Sequence, residues 1–345
     1  MKRFAEYSTG RDNNFNLIRV LAAGGVLVSH SWPIIDPRSA EPLENMIGLS
    51  LGHVCVLLFF AISGFFITKS YERANSLTDF LSARAARLFP ALVVVIVLTV
   101  LVAGPLLTRH GTLAYFSNPQ IYAYLLQNVA IVFGQIYELP GVLGDRPING
   151  SLWTLRYEVY CYASVVLLGL LGCIAPRRYW LWLGLVLLIA VAAALVDKGT
   201  GISRLLLAFA LGGGVYVYRN AIPFSGFIAA VLLAAALLIR ETPLFGVLFC
   251  VACAYAILWL GFARIPFLTV YNRFGDISYG LYIYAFPVQM IWAYEGGIAN
   301  PYVLMAVSFA TTLPLAIASW LLVEKPALDM RRRIFRGRGN ERLPA

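Results

Sequence analysis

The chain is 345 residues long, 60% hydrophobic and only 13% charged, with a mean hydropathy of +0.76. A soluble domain carries about 25% charged residues, so this composition excludes a soluble globular protein. The net charge of +10 could suit a nucleic-acid binder, but the cations fall on alternate connections between apolar segments, which is a membrane-topology pattern.

The N-terminal MKRFAEYSTGRDNN is polar and basic, unlike a cleavable signal peptide, and leads into a full-length apolar run. Hydropathy predicts ten transmembrane helices, near 14–35, 51–70, 88–108, 151–173, 178–196, 202–218, 222–240, 244–262, 275–296 and 302–323. Each is at or close to the ~20 residues that cross a hydrocarbon core. The expected fold is all-α, a polytopic membrane helix bundle in one domain over 1–330 with a basic cytoplasmic tail over 331–345. The stretch 120–134 is too short and polar for a span, and reads as a helix at the interface or dipping back into the bundle.

Nineteen Lys and Arg fall on the side of the termini, among them Arg11, Arg84, Arg87, Arg331 and Arg342, against six opposite, among them Lys198 and Arg204. That asymmetry places both termini in the cytoplasm. The run RRRIFRGRG is expected to lie against anionic lipid headgroups rather than nucleic acid. Five cysteines without paired spacing and only three histidines point to buried small hydrophobes, and neither a disulfide framework nor a metal site is expected.

The first predicted span carries two ionisable residues, Arg19 and His30. Eleven helical residues make three turns plus ~20°, which puts both side chains on one face ~16 Å apart. Ala22, Ala23 and Val26 lie between them on that stripe and leave room for a slender ligand. Snorkelling of Arg19 and an interfacial role for His30 are the structural alternatives, but two ionisable residues on one intramembrane face point to a site.

In FLSARAARLFPAL, Arg84 and Arg87 are three residues apart and share a helix face at the cytoplasmic mouth of the third span. Two guanidiniums so placed suit bidentate phosphate binding, or act as ordinary positive-inside flanks. Glu324, at the cytoplasmic end of the last span, is either their partner or a cap on the tail. In PINGSLWTLRYEVYCY, Asn149, Gly150 and Ser151 read as a turn and helix cap, followed by Trp153, Arg156 and Glu158. Glu158 falls at a depth similar to that of His30, where a carboxylate can hold an imidazole's tautomer. A structural ion pair with Arg156 is the alternative.

With these motifs the chain resembles acyltransferase family 3, bacterial integral-membrane O-acyltransferases, over nearly its whole length. The resemblance rests on Arg19-x10-His30, FFAISGFFI (59–67), Arg84-x-x-Arg87, NGSLWTLRYE (149–158), DISYGLYIYAFPV (276–288) and the terminal Glu324-Lys-Pro. It implies transfer of an acyl group, usually acetyl from acetyl-CoA, to a hydroxyl of a cell-surface carbohydrate or its lipid-linked precursor at the inner membrane. His30 would be catalytic, supported by Arg19 and Glu158. Arg84, Arg87 and Ser63 would bind the CoA donor, and Trp153, Asn149 and Tyr279 the acceptor.

Two departures bear on acceptor choice: Leu57 and Leu58 stand where many relatives have an acidic residue, and Ala285 where many have histidine. A transporter or flippase of a glycan precursor is the rival reading. It predicts broken helices in symmetric halves, which the sequence does not display. An inactive family member acting as a partner protein loses ground because His30, Arg19 and both cytoplasmic arginines are retained.

Overall fold

The structure is a computed structural model that describes residues 2–8, 10, 13–132, 134–196 and 201–340. Arg11, Lys198 and Arg342 of the charge count lie outside these residues, as do the side chains of Arg336 and Arg338. The described residues form helices and loops with no strand beyond isolated bridges, so the protein is all-α.

The principal helices are α1 (Phe15–Ile35), α2 (Leu51–Arg73), α3 (Leu77–Leu98), α4 (Pro119–Ala130), α5 (Trp153–Leu170) and α6 (Tyr179–Leu195). They continue with α7 (Gly201–Val217), α8 (Gly226–Leu238), α9 (Phe245–Phe262), α10 (Ser278–Tyr294), α11 (Pro301–Ser319) and α12 (Lys325–Asn340). A helix occupies every stretch where a span is expected. Among the described residues, five helices are long and apolar enough to cross a membrane: Phe15–Ile35, Leu51–Arg73, Leu77–Leu107, Phe245–Phe262 and Pro301–Phe335. Three shorter apolar helices are α6, α7 and α8. The 120–134 stretch is the 12-residue α4.

Two helices run past their expected ends. α3 starts at Leu77, where the Ser76 side chain accepts from the Asp79 backbone N–H and caps it. Its first turns are polar, and hydropathy marks only the lipid-facing part of the helix. It continues through a widened π-turn, Thr99–Ala103, into Gly104–Leu107. The π-turn frees the Val100 carbonyl to accept from the Tyr115 hydroxyl at 3.0 Å, and Gly104 has no side chain to obstruct that ring. α11 likewise passes through a second π-turn, Trp320–Glu324, into α12, so helix covers the point at 331 where the tail is expected to begin.

The chain divides into two compact units. The first comprises 1–29, 38–73 and 157–276. Its tightest crossing is α2 on α7, made possible by glycine on both sides. A Cβ on Gly64 would collide with the Phe209 carbonyl and one on Gly212 with the Ala61 carbonyl. Small residues at reciprocal positions let membrane helices approach to backbone contact. α9 packs on α2, α7 and α8. Asn14, wholly buried, donates to the carbonyls of Leu260 and Ala263 at 2.8 Å and so closes the end of α9. Phe227 and Leu238 are 77% and 85% exposed, apolar faces suited to lipid.

The second unit comprises 30–37, 74–156 and 277–345, in which α10 packs on α11 and α3, and α12 on α3. The α12 contact is ionic. Arg331 donates to the Asp79 carboxylate and to the Asp79 carbonyl at 2.6 Å, and to Ser82 Oγ at 3.3 Å.

Candidate active site

α1 carries Arg19 near its start and His30 near its end on one continuous helix, as the spacing predicts. The stripe between them is packed shut. Ala22, Ala23 and Val26 are 4%, 0% and 3% exposed, and nearby Gly25 lies directly against Cys55 and Leu51. The small residues serve close helix packing, not a ligand channel.

Arg19 is held in the first unit. Its guanidinium lies 3.5 Å from the Asp276 carboxylate and 5.6 Å from the centroid of the Phe66 ring. Asp276 just precedes α10 and is 9% exposed, so the pair is sheltered from screening water. The sequence reading assigns Asp276 no role. The one signal available is a carboxylate placed just before an apolar helix that also holds Ser278 and Tyr279.

The arginines of α3 lie in the second unit. Arg87 meets Glu324 at 3.1 Å, with the carboxylate 1% exposed. Ser319 donates to the same carboxylate at 3.0 Å, and Gly280 leaves it room, since a Cβ there would lie 3.3 Å from Oε1. The π-turn ends on Glu324 and thus falls at the place where the carboxylate enters the interior. Of the two readings of Glu324, the structure selects the arginine partner. Arg84 is half-buried on the same helix.

Tyr279 belongs to this end too. Its ring lies 5.7 Å from the Arg87 guanidinium, and its hydroxyl donates to the Leu88 carbonyl at 2.9 Å. Asn149 is elsewhere, wholly buried, donating to Tyr124 at 2.8 Å and to Thr99 at 3.2 Å. Leu88 and Thr99 are eleven residues apart, about 16 Å of helix. Tyr279 and Asn149, expected together at the acceptor, therefore do not meet. Ser63 and Trp153 are half-buried on α2 and α5. Glu158 accepts from the Tyr162 hydroxyl one turn along α5.

His30 sits among residues of the second unit. Phe286 presents its ring edge-on at 5.2 Å and 85°. The imidazole Nδ1 is buried and has no hydrogen-bond partner among the described residues. The chain around it is tied to α10, where Gln289 donates to Ser31 at 2.9 Å and Tyr294 donates to the Ile34 carbonyl at 3.1 Å. The NGS turn is fixed to the same helix, with Tyr282 donating to the Ser151 carbonyl at 3.0 Å. Gly150 lies against Phe286, where a Cβ would come within 2.6 Å of Cζ. Glycine is required here for close approach, and the turn, Phe286 and the imidazole form one packed series. No group of three or more His, Cys, Asp or Glu placed to hold a metal occurs among the described residues.

A family model described as an acyltransferase domain matches residues 12–321. The chain belongs to acyltransferase family 3. The O-acetyl transferase of Shigella phage Sf6 is 30% identical over 339 residues, covering 91% of this chain and 96% of that one. Nodulation protein 10 of Rhizobium leguminosarum bv. viciae is 28% identical over 365 residues, covering 94% and 96%. No solved structure matches the chain. The protein is thus an O-acyltransferase enzyme, and its apolar helices make it a multi-pass membrane protein.

For a family 3 acyltransferase, the packing of Gly150 on Phe286 yields a direct expectation. Gly150→Ala places a methyl group where the Phe286 ring lies and pushes that ring off its seat beside His30. With His30 as the reacting group and acyl-CoA as the donor, as proposed below, turnover is expected to fall about ten- to a hundredfold, the cost of a misplacement of around an ångström, with acyl-CoA affinity unchanged. Kinetics beside CoA-binding titrations check this, and adding Phe286→Leu should recover part of the loss.

Proposed function

We propose that this O-acyltransferase moves an acetyl group from acetyl-CoA on the cytoplasmic side of a bacterial inner membrane to a hydroxyl of a cell-surface carbohydrate or its lipid-linked precursor. The observation that carries the reading is the imidazole of His30, seated against Phe286 with a buried, unpartnered Nδ1 in a chain that matches the family almost end to end. A buried ring nitrogen without a structural hydrogen bond is free for chemistry, and a histidine near neutral pH is the usual general base.

In this mechanism His30 takes the proton from the acceptor hydroxyl as its oxygen attacks the thioester carbonyl. The new C–O bond forms, the C–S bond breaks, and the proton leaves with the CoA sulfur. Arg19, fixed by Asp276, supplies positive charge within the membrane helix. Glu158 supports the imidazolium form. Arg84 and Arg87 contact the CoA phosphates through charge-assisted bonds, and Ser63 contributes to the donor site. Trp153 offers an aromatic surface to the acceptor, Asn149 holds the loop behind it, and Tyr279 acts beside Arg87. The positive-inside pattern supports cytoplasmic termini.

The test has two arms. Surface glycans from cells with and without the protein should differ by about 42 Da per modified unit, one acetyl replacing one hydrogen in acyl transfer; identical spectra overturn the acceptor reading. The double substitution Arg84→Ala with Arg87→Ala should weaken acetyl-CoA binding at least about tenfold, the worth of a lost charge-assisted contact. Affinity equal to that of the wild type removes the arginines from the donor site.

A further inference from the structure

The NGS turn holds a hydroxyl that the chemistry above does not use. Ser151, in the second unit, is 1% exposed, and its Oγ has no hydrogen-bond partner among the described residues. A hydroxyl buried in this way carries a desolvation cost that no contact offsets, and folded proteins keep few such groups. The groups around it are engaged. Tyr282 of α10 donates to the Ser151 carbonyl at 3.0 Å, and the buried hydroxyls of Tyr282 and Thr154 meet at 2.7 Å. The backbone of Ser151 is thus fixed from α10 and from the first turn of α5. Gly150 packs on the tip of the Phe286 ring, and Phe286 lies edge-on to His30. The residue next to Ser151 is therefore one aromatic ring away from the imidazole, whose Nδ1 is likewise buried without a partner among the described residues.

Asn149, on the other side of Gly150, shows which role the hydroxyl can fill. It occupies a cap position, where an asparagine side chain ordinarily accepts from the backbone N–H groups that follow, but it makes no such bond. Its amide hydrogens go instead to Tyr124 at 2.8 Å and Thr99 at 3.2 Å. The atom left over is Oδ1, which has no partner among the described residues, and a carbonyl oxygen only accepts. Ser151 Oγ carries a proton it can donate. Of these two side chains, only the serine can meet an oxygen on which negative charge develops.

We infer that Ser151 is a catalytic hydrogen-bond donor to the carbonyl oxygen of the donor thioester. The inference rests on the mechanism under Proposed function, with His30 as the base, and adds to it the group that receives the developing charge. As the acceptor oxygen adds to the carbonyl carbon, the C=O electron pair moves onto the carbonyl oxygen. The Ser151 O–H donates to that oxygen and keeps its proton. The C=O bond re-forms as the C–S bond breaks, and His30 passes the acceptor's proton to the sulfur. A donor held in place before the charge appears, in a site closed to water, needs no rearrangement in the transition state. Tyr282 holds the residue, and its burial keeps water out.

The test is steady-state kinetics on the full chain in lipid nanodiscs, with acetyl-CoA titrations and thermal melts beside it. Ser151→Ala should lower kcat about 10²-fold, the effect of deleting one oxyanion donor, with acetyl-CoA affinity and membrane yield unchanged. Its melting temperature should hold or rise, because the substitution removes an unsatisfied buried group. Ser151→Cys, close in size but a weaker donor, should fall between. The pH profile of the residual activity should keep its wild-type shape, since the hydroxyl does not titrate near neutral pH, whereas a displaced imidazole would shift it. A wild-type kcat in Ser151→Ala overturns the inference and leaves Oγ to a bound water. A kcat that falls in step with stability, or a shifted profile, overturns it in favour of a structural role. An acetyl group found on Ser151 by mass spectrometry of acid-quenched enzyme overturns it in favour of a covalent nucleophile. His30→Gln, run in parallel, separates the two levels. Wild-type activity in His30→Gln sinks the mechanism on which the inference rests, and an inactive His30→Gln beside a fully active Ser151→Ala sinks this inference alone.

Discussion

His30→Ala is expected to lower acetyl transfer by about 10²–10⁴-fold, the usual contribution of a positioned general base, equivalent to roughly 3–5 kcal/mol of barrier. The fold should survive. The ring's Nδ1 makes no hydrogen bond among the described residues, and the end of α1 stays tied to α10 through Gln289 and Tyr294. His30→Gln is the sharper variant, since it keeps most of the volume and an N–H but cannot take a proton near neutral pH. With the donor site at the arginines of α3, as proposed, both variants should bind acetyl-CoA with wild-type affinity. Activity within a few-fold of wild type in His30→Gln, with normal membrane yield, would remove the imidazole from the reaction.

Much of the fold was legible because hydropathy reports burial in lipid directly. Each stretch expected to span holds a helix, five of them among the described residues long and apolar enough to cross a membrane, and Arg19 and His30 share α1. What hydropathy could not mark was where a helix enters water. α3 begins at Leu77 on the Ser76 cap, and α11 continues through a π-turn into α12, both in polar sequence. The partners of the charges were less legible still. Asp276 meets Arg19 across 257 positions and Glu324 meets Arg87 across 237. Only tertiary packing selects among the carboxylates that could serve.

The stripe of Ala22, Ala23 and Val26 exposes a true ambiguity of pattern. Small residues on a membrane helix read equally as space for a ligand or as a seat for a neighbouring helix, and their burial decides for the seat. Tyr279 illustrates the same limit. Its motif names it, but the hydroxyl bond to Leu88 places it with the arginines and away from Asn149. Phe286 lies in the DISYGLYIYAFPV motif but carried no signal of its own, since an aromatic in an apolar helix is ordinary until Gly150 and His30 are found against it.

Glu324→Ala should cost about 3–5 kcal/mol of stability, the range for removing one partner of a buried ion pair. The magnitude follows from the asymmetry of the pair. The carboxylate is 1% exposed and the guanidinium 22%, so deletion strands a largely desolvated cation under α11 and also takes the acceptor of the Ser319 hydroxyl. Glu324→Gln keeps a hydrogen-bond acceptor for Ser319 and should cost less, since only the charge is lost. Denaturant titration in detergent micelles measures both. The pair also separates two roles of Arg87. If Arg87 serves the CoA phosphates, Glu324→Gln frees its charge, and acetyl-CoA should bind at least as tightly as in wild type while stability falls. If Arg87 is only the structural counterion, stability falls with no change in affinity, and Arg87→Ala alone leaves CoA binding intact. Replacing both partners by apolar residues, Arg87→Met with Glu324→Leu, should restore much of the stability, because a buried pair is often no better than well-packed hydrocarbon. A double mutant that is stable and yet binds acetyl-CoA poorly would assign Arg87 to the donor site by a measurement in which folding no longer takes part.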